Sequence, residues 1–518
     1  MKKLIQKAII ISITAVLIAG NKMLVYAVDE WRVLPIRSEE EFNQGRTGGE
    51  SEQHPHGIAR CLNHPEFIYI SHDVAQVWRS TDNGDTWKHT LGKNLYLTCG
   101  QSIEVDPVDP SIVFFTVAHS YNYLQEDYEG LYRSKDYGDT WELVLQTDTN
   151  YISAHRIYRH NIAYDPSTIN QYGATRWYAA FPDNGLYRSE NSGDTWEQVD
   201  SLVGYTVVYG VQVHPGDGVT VYVATNKGLL KSSSRGSDLE IISNLGQKNV
   251  SGLQIHPEKP NIIYATVKQD GLYRSEDAGE TFILLKSFDA QTVFMNPGFP
   301  DTMYLVGVSA NTIISHDAGQ TWITDMITNP FPGLGRAGSG WKGRIAGGAT
   351  GIVPHPEVQD EAVAFSRASL WKTTDGGHVF DESSTLFTGY AWSWWNDGIA
   401  FDPFNKNRLV TFNCDVGMCI THTAGDYFEG RNAQAWGWYQ GGLIKWIGAY
   451  SGHFQPVEHS QIIIASVGGY FQTQIMRSTN EGKEWQLVTQ GPSNVSKHLF
   501  ISFHPDDPDF VYAGNKIS

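Results

Sequence analysis

Residues 80–87 read Ser80-Thr81-Asp82-Asn83-Gly84-Asp85-Thr86-Trp87. The same pattern, Ser-x-Asp-x-Gly-x-Thr-Trp, returns at Ser134 to Trp141, Ser275 to Phe282 and Ser315 to Trp322. Looser copies run Ser189 to Trp196, Ser232 to Leu239, Thr373 to Phe380, Thr421 to Phe428 and Ser478 to Trp485. Copies lie roughly 40 to 60 residues apart, the spacing of stacked supersecondary units such as propeller blades. Each residue type in the motif has a mechanical use. Asp82 can accept hydrogen bonds from the amides of a tight turn. Gly84 supplies a backbone conformation with positive φ. Trp87 buries its ring between neighbouring units. The motif, known as the Asp box, therefore reads as scaffold.

One unit shows how the chain runs around it. Gly57 to Leu62 reads as a strand, Asn63-His64-Pro65-Glu66 as a turn, and Phe67 to Ser71 as a second strand. Val77 to Ser80 is a third, and the box turns the chain into a fourth at Thr86 to Thr90. Four antiparallel strands make one propeller blade. His64, His214, His256, His355 and His504 each precede a proline, and Asp106, Asp165 and Asp402 do the same. All are expected in the turn between first and second strands, not as metal ligands. Further blades start near Ser102, His160, Val207, Val250, Gln291, Gly351, Gly398, His453 and Leu499. The tenth breaks off after its second strand, and Glu30 to Pro35 resembles the strand that follows a box. That segment is expected to supply the outer strand of a closing blade. The fold expected is all-β: two tandem seven-bladed propellers, residues 28–397 and 398–518, the second incomplete.

Composition narrows the partners. The formal net charge is −18, which disfavours nucleic acid and anionic membrane, because phosphate binding uses Lys and Arg. A neutral ligand fits better. Lys2, Lys3 and Lys7 precede the apolar run Ala8 to Gly20, and Val25-Tyr26-Ala27 suits signal peptidase. Residues 1–27 are read as a signal peptide, and the mature protein as secreted, monomeric and free of the membrane. Export permits disulfides. The pairing of Cys61, Cys99, Cys414 and Cys419 stays open, with Cys414–Cys419 able to staple a hairpin. No cofactor or metal is implied.

In a propeller the boxes mark one face. Turns between second and third strands, and links between blades, lie on the other. Functional residues are expected there. Two such turns are alike: Asp73-Val74-Ala75-Gln76-Val77-Trp78 in the first blade and Asp415-Val416-Gly417-Met418-Cys419-Ile420 in the eighth. Seven blades, one full turn of a common propeller, separate them. Facing propellers would form a cleft with a carboxylate on each wall. Such a pair suits hydrolysis of a glycosidic bond, one carboxyl donating to the leaving oxygen and the other activating water or attacking carbon. Trp392, Trp394 and Trp395 precede the eighth blade's strands, and Trp436 and Trp438 follow its box. Aromatic rings stack on sugar faces, and Tyr121 and Tyr123 are further candidates. The expected partner is a polysaccharide or oligosaccharide.

The two Asp elements resemble those of glycoside hydrolase family 74, the xyloglucanases and related endo-β-glucanases, which carry an Asp-Val/Ile-Gly-Gly element early and a second one, followed by a His, later. The resemblance implies Asp73 as general base, Asp415 as general acid, and inversion of configuration. Gln76 and His422 are its implied neighbours. Ala75-Gln76 stands where the family has Gly-Gly, and Met418 replaces the second glycine of the later element. Other readings are a sialidase, a polysaccharide lyase, and a binding propeller like the lumenal domains of sorting receptors. A sialidase needs an arginine cluster, but Arg79, Arg133, Arg188, Arg274 and Arg477 sit just before boxes and read as structural.

Overall fold

Each repeat folds as a small antiparallel sheet in the computed structural model. It describes residues 39–43, 55–72, 77–95, 99–118, 129–147, 160–242, 244–307, 312–329, 351–365, 370–383, 398–413, 417–431, 448–469, 472–490 and 499–515. The first sheet pairs Pro55–Arg60, Ile68–His72, Val77–Ser80 and Lys88–His89 in chain order. The second repeats this with Cys99–Val105, Val113–Ala118, Gly130–Ser134 and Glu142–Gln146. The third inserts a hairpin, Ile169–Asn170 with Gly173–Ala174, between its first two strands, Ile162–Tyr164 and Trp177–Phe181. The fourth and fifth, opening at Val208–Val213 and Val250–Ile255, are again four-stranded. The eighth opens at Ile399–Phe401 and the ninth at Gly448–Phe454, and a two-stranded tenth pairs Leu499–Phe503 with Val511–Asn515. The fold is a β-propeller. No helix among the described residues is long and apolar enough to cross a membrane.

Besides the two-stranded tenth, two sheets depart from the four-strand rule. The sixth has three strands, Ala290–Met295, Met303–Gly307 and Thr312–Ser315, and beyond its box only a single bridge joins Ile314 to Ile323. The chain then runs on as Ile327–Asn329, which pairs in parallel with Val379–Glu382 as the outermost strand of the seventh sheet. That outer place is thus filled from the neighbouring repeat. The segment Glu30 to Pro35, expected in such a place, lies outside the described residues.

The boxes hold the sheets at one end. Ser80 Oγ accepts from the Gly84 amide at 2.8 Å, and Asp82 Oδ1 from the Thr86 amide at 2.8 Å. The residue before the glycine and the glycine itself both have positive φ, 57° and 86° at Asn83 and Gly84. This αL–αL pair points the Asn83 amide at the Glu66 carbonyl (3.0 Å), in the turn between first and second strands. All nine boxes make the equivalent bond, for example Tyr137 to Ser111 and Ala278 to Asn261. Boxes and first turns therefore share one face. Apolar side chains alternate below it. Ile103 and Val105 face the first sheet's Ala59 and Tyr69, while Phe114 joins Ile162 and Trp177 of the third.

The first turn has its own device. The residue ending the first strand offers an acceptor to amides two and three residues on. Asp106 Oδ1 takes Val108 and Asp109, and Asn296 Oδ1 takes Gly298. His256 Nδ1 takes Glu258 and Lys259, and His355 Nδ1 takes Glu357. Imidazole and carboxylate are interchangeable here because each presents a lone pair in the same place. In the first sheet His64 lies in the turn between first and second strands, as expected, but not at the acceptor position. That position holds Cys61, whose amide bonds Phe67 O as that of Asp106 bonds Ile112 O, and His64 lies three residues further on. Burial pushes the Cys61 thiol up to about 12. Cys61 is a free, buried cysteine against the Pro107 carbonyl. Cys414 is outside the described residues.

Burial depresses the basicity of His256 and His355. Their neutral forms are favoured in the folded chain, so below the free imidazole value of about 6.5 the unfolded chain binds more protons and stability falls as pH drops. The melting temperature should therefore decline from pH 7 to pH 5. A double His256→Asn/His355→Asn variant, which keeps an acceptor of the Asn296 kind, should flatten that decline. An unchanged slope in circular dichroism melts would show that these imidazoles do not carry it.

Candidate active site

The two Asp-bearing turns are placed by the strands on either side of them. In the first sheet the second and third strands pair from Ile68↔Ser80 to Ser71↔Val77, and residues 73–76 link them. In the eighth sheet, Leu409–Asn413 and Gly417–Thr421 pair from Leu409↔Thr421 to Asn413↔Gly417, and residues 414–416 link them. Both links thus occupy the same place in their sheets, at the end away from the boxes. Asp73, Gln76 and Asp415 lie outside the described residues, as do Tyr121, Tyr123, Trp392, Trp394, Trp395, Trp436 and Trp438.

His422 is described, and the structure does not bring it to the Asp415 link. It follows Thr421, at the box end of the third strand. With strand pairs advancing about 3.4 Å per residue, that end stands over 13 Å from the 414–416 link. Its Nε2 lies 3.4 Å from Glu481 Oε2, in the box of the ninth sheet. Arg408 Nη1 approaches the same carboxylate at 3.5 Å and Asp402 at 3.2 Å. His422 is part of the joint between two boxes. The sequence could not show this, because a His soon after Asp415 is close in number but at the far end of the strand.

Most of the box carboxylates are taken up within their own turns. Asp277 and Asp317 are held at about 2 chiefly by hydrogen bonds from the Thr281 and Thr321 hydroxyls. In the looser boxes Asn191 and Asn480 accept the same backbone amide, from Thr195 and Glu484. In the fourth sheet, where the motif position is Ser234, Ser232 Oγ bonds Asp238 instead. Basic residues before the boxes reach forward to the next sheet. Arg79 Nη1 donates to Tyr137 O at 2.6 Å, Arg133 Nη1 to Ser192 O at 2.8 Å and Arg188 Nη1 to Arg235 O at 3.0 Å. These guanidiniums are engaged in scaffold, as expected, and do not form a cluster that could hold a sugar carboxylate.

The end away from the boxes has a different chemistry. Ser71 Oγ, both polar side-chain atoms of Asn161, Ser251 Oγ, Thr266 Oγ1 and Thr312 Oγ1 are buried there without hydrogen-bond partners among the described residues. Strand register slips at Pro55/Gly57, Val208/Gly210, Val250/Gly252 and Ala290/Thr292, all at this end of the first strands. Bulges re-aim side chains and are over-represented beside active sites. Sequence reasoning also missed a polar contact across three sheets. His160 Nε2 meets Glu104 Oε2, and Gln212 Nε2 lies 3.4 Å from His160 Nδ1. A lone Glu, His and Gln from three separate sheets give no pattern to read. Among the described residues no group of three His, Cys, Asp or Glu side chains is placed to hold a metal ion.

No protein-family model matches the chain. It is similar to curated proteins named xyloglucanase. One from a Paenibacillus species is 30% identical over 250 residues, covering 41% of this chain and 24% of the relative. Xyloglucanase Xgh74A of Acetivibrio thermocellus is 26% identical over 232 residues, 44% of this chain and 25% of the relative. A xyloglucanase of Hypocrea jecorina is 25% identical over 366 residues, 63% of this chain and 38% of the relative. The chain thus spans between about a quarter and two fifths of the length of these relatives. Among solved structures, a glycoside hydrolase family 74 enzyme of Niastella koreensis superposes with a TM-score of 0.58 at 14% identity, over 85% of this chain and 73% of its own. The family 74 xyloglucanase of Xanthomonas campestris gives 0.58 at 11% identity, over 90% and 85%. At such identities the likeness is one of fold. The chain resembles glycoside hydrolase family 74 in sequence and in fold.

The engagement of the box carboxylates makes a direct prediction. Asp82→Ala removes the acceptor for the Thr86 amide and hydroxyl and should cost about 1–2 kcal/mol in urea unfolding, on the usual worth of such bonds. Asp82→Asn, the residue type at 191 and 480, should cost less than half of that. Equal losses for the two variants would mean that the charge, and not the acceptor, holds the turn.

Proposed function

We propose that this chain is part of a secreted glycoside hydrolase that cleaves a β-linked polysaccharide of the xyloglucan type, with Asp73 as general base and Asp415 as general acid. The observation that carries the reading is the matched placement of the two Asp-bearing links, each between second and third strands, in sheets seven apart along the chain. Similarity to proteins named xyloglucanase supports the substrate class. In this reading residues 28–397 form a seven-bladed propeller, 398–518 begin a second, and the two carboxyls face one groove. Residues 1–27 direct export.

The chemistry asks the two carboxyls for opposite states. The acid must keep its proton until the leaving oxygen needs it, which burial or a neighbouring like charge achieves. The base must stay ionised and hold a water against the anomeric carbon. Inversion requires carboxyls roughly 6.5–9.5 Å apart, enough to admit that water. Trp392, Trp394, Trp395, Trp436 and Trp438 would supply the stacking surface, with Tyr121, Tyr123 and Gln76 at its margin. His422, committed to the joint with Glu481, has a supporting place in the scaffold. The chain needs no cofactor for this reaction.

Release of reducing ends from xyloglucan tests the reading. Asp73→Asn and Asp415→Asn should each lower turnover by about 10²–10⁴-fold, the usual worth of a positioned acid or base, with the melting temperature held. Proton NMR of the first product should show the inverted anomer. Binding of xyloglucan without turnover by the unaltered chain would point to a glycan-binding propeller instead, and retention of configuration would rule out the base assigned to Asp73.

A further inference from the structure

The first strands of the first seven sheets form a closed ring. Pro55–Arg60 touches Cys99–Val105, contact then passes through Ile162–Tyr164, Val208–Val213, Val250–Ile255, Ala290–Met295 and Gly351–Pro354, and the last touches Pro55–Arg60 again. Neighbouring sheets thus cover both broad faces of each strand, and its inner edge looks onto an enclosed channel. In the fourth sheet Val211 and Val213 pack toward the third, with Ala163 and Tyr178. Gln212 stands between them and therefore starts on the opposite face. Its Nε2 nevertheless lies 3.4 Å from Nδ1 of His160, which leads into the first strand of the third sheet. The Gln212 side chain must pass around the inner edge of its own strand, so it stands in the channel. His160 in turn meets Glu104 of the second sheet. Solvent reaches this contact, since the His160 side chain is 27% exposed.

The polar lane continues into the fifth sheet. Glu104, Gln212 and Gln254 hold one register position, paired with Phe114, Tyr222 and Tyr264 of their second strands. Gln254 is partly exposed, while Leu253 and Ile255 beside it are buried toward the fourth sheet. Its side-chain amide makes no hydrogen bond among the described residues. The same position holds Phe294 in the sixth sheet and Val353 in the seventh, so the ring is polar through one run of sheets and apolar through the next. The charges select the ligand. Glu104 is the only carboxylate in the seven strands, and His160 engages it. Arg60 is the only Lys or Arg, and Pro65 O and Asn83 engage its guanidinium at the box end. A metal ion or an anion therefore lacks partners here. Primary amides both donate and accept hydrogen bonds, as ligand hydroxyls do.

We propose that this channel is a binding site for one small neutral polyol, the size of a single sugar ring. Gln212 and Gln254 bind its hydroxyls, and Glu104 orients His160 toward a third. None of these residues lies in the Asp-bearing links, so failure of the hydrolase reading leaves this site untouched.

The full chain is titrated with D-xylose, D-glucose, D-glucuronate and D-glucosamine by saturation-transfer NMR, and hydrogen exchange is followed by mass spectrometry. Xylose and glucose should bind saturably with a Kd of about 1–10 mM, the range for a small ligand held by a few hydrogen bonds. Glucuronate should bind about 10-fold more weakly, repelled by Glu104. Gln212→Leu and Gln254→Leu should each weaken both neutral sugars about 10-fold, the worth of one or two hydrogen bonds. The melting temperature should hold in Gln254→Leu, since that amide has no partner to lose. If the variant does not fold, Gln254→Asn, one methylene shorter, is read in its place and should weaken binding likewise. Bound xylose should slow exchange in 208–213 and 250–255 and leave 472–478 unchanged. No saturable binding of either neutral sugar would overturn the proposal, as would binding that both leucine variants leave intact, or an exchange pattern that xylose does not alter. Tighter binding of glucosamine than of glucose would make this a cation site and overturn it too.

Discussion

The bond from the box amide to the first-turn carbonyl is the constraint on which the rest of the scaffold depends. It needs two successive residues at positive φ, and that need explains the glycine in every copy. Non-glycine residues pay a conformational cost there, yet Asn83, Tyr137, Ser192, Arg235, Ala278, Ala318, Ala424 and Glu481 all take the first of the two positions. The hydroxyl and carboxylate of the motif hold them in place. Once the turn is set, the basic residue just before it points along the same face to the following box. Lys372 does this for the last joint of the first seven sheets, meeting Asp85. A turn that looks local is thus also the hinge plate between neighbouring sheets.

This division of labour explains why one face is regular and the other is not. At the box end, backbone amides, box hydroxyls and the terminal nitrogens of the arginines are paired into a repeating lattice, and changing one partner strands another. At the far end the inner strands slip register and leave hydroxyls and amides buried without partners among the described residues. Such groups are costly, and a scaffold under selection for stability alone would replace them with apolar side chains. At the far end they are hydroxyls and amides, whereas the orphaned atoms at the box end are mostly guanidinium Nε atoms of arginines whose other nitrogens are engaged.

The box was legible because its residues are consecutive and each does something different; the turn, the buried Trp87 and the inter-sheet arginines all followed from it. The sheet count was legible for the same reason. What could not be read were features that join distant residues or exchange one chemical type for another. Cys61 takes the position that Asp106, His256, Asn296 and His355 take in other sheets, while His64 stays in the turn, since a thiol, a carboxylate, an amide and an imidazole can all end that strand. Ile327–Asn329 crosses to the seventh sheet, which no local pattern announces. His422 was implied as a neighbour of Asp415 by the family resemblance, but the strand Gly417–Thr421 lies between them and carries its two ends to opposite faces.

The same reasoning bears on the likeness of the two Asp-bearing hairpins. They match in sequence and in their place within a sheet, but not in their surroundings. In the first sheet the inner strand is covered, with Ile58 at 3% exposure against the seventh sheet. In the eighth, the corresponding strand leaves Ile399 41% and Phe401 63% exposed, while Ala400 between them is buried toward the ninth sheet. One face of the eighth sheet therefore has, among the described residues, no counterpart to Phe365 and Leu370, which share a buried cluster with Ile58 from the seventh sheet. The two hairpins are thus matched in sequence and unlike in what the described residues pack against their sheets.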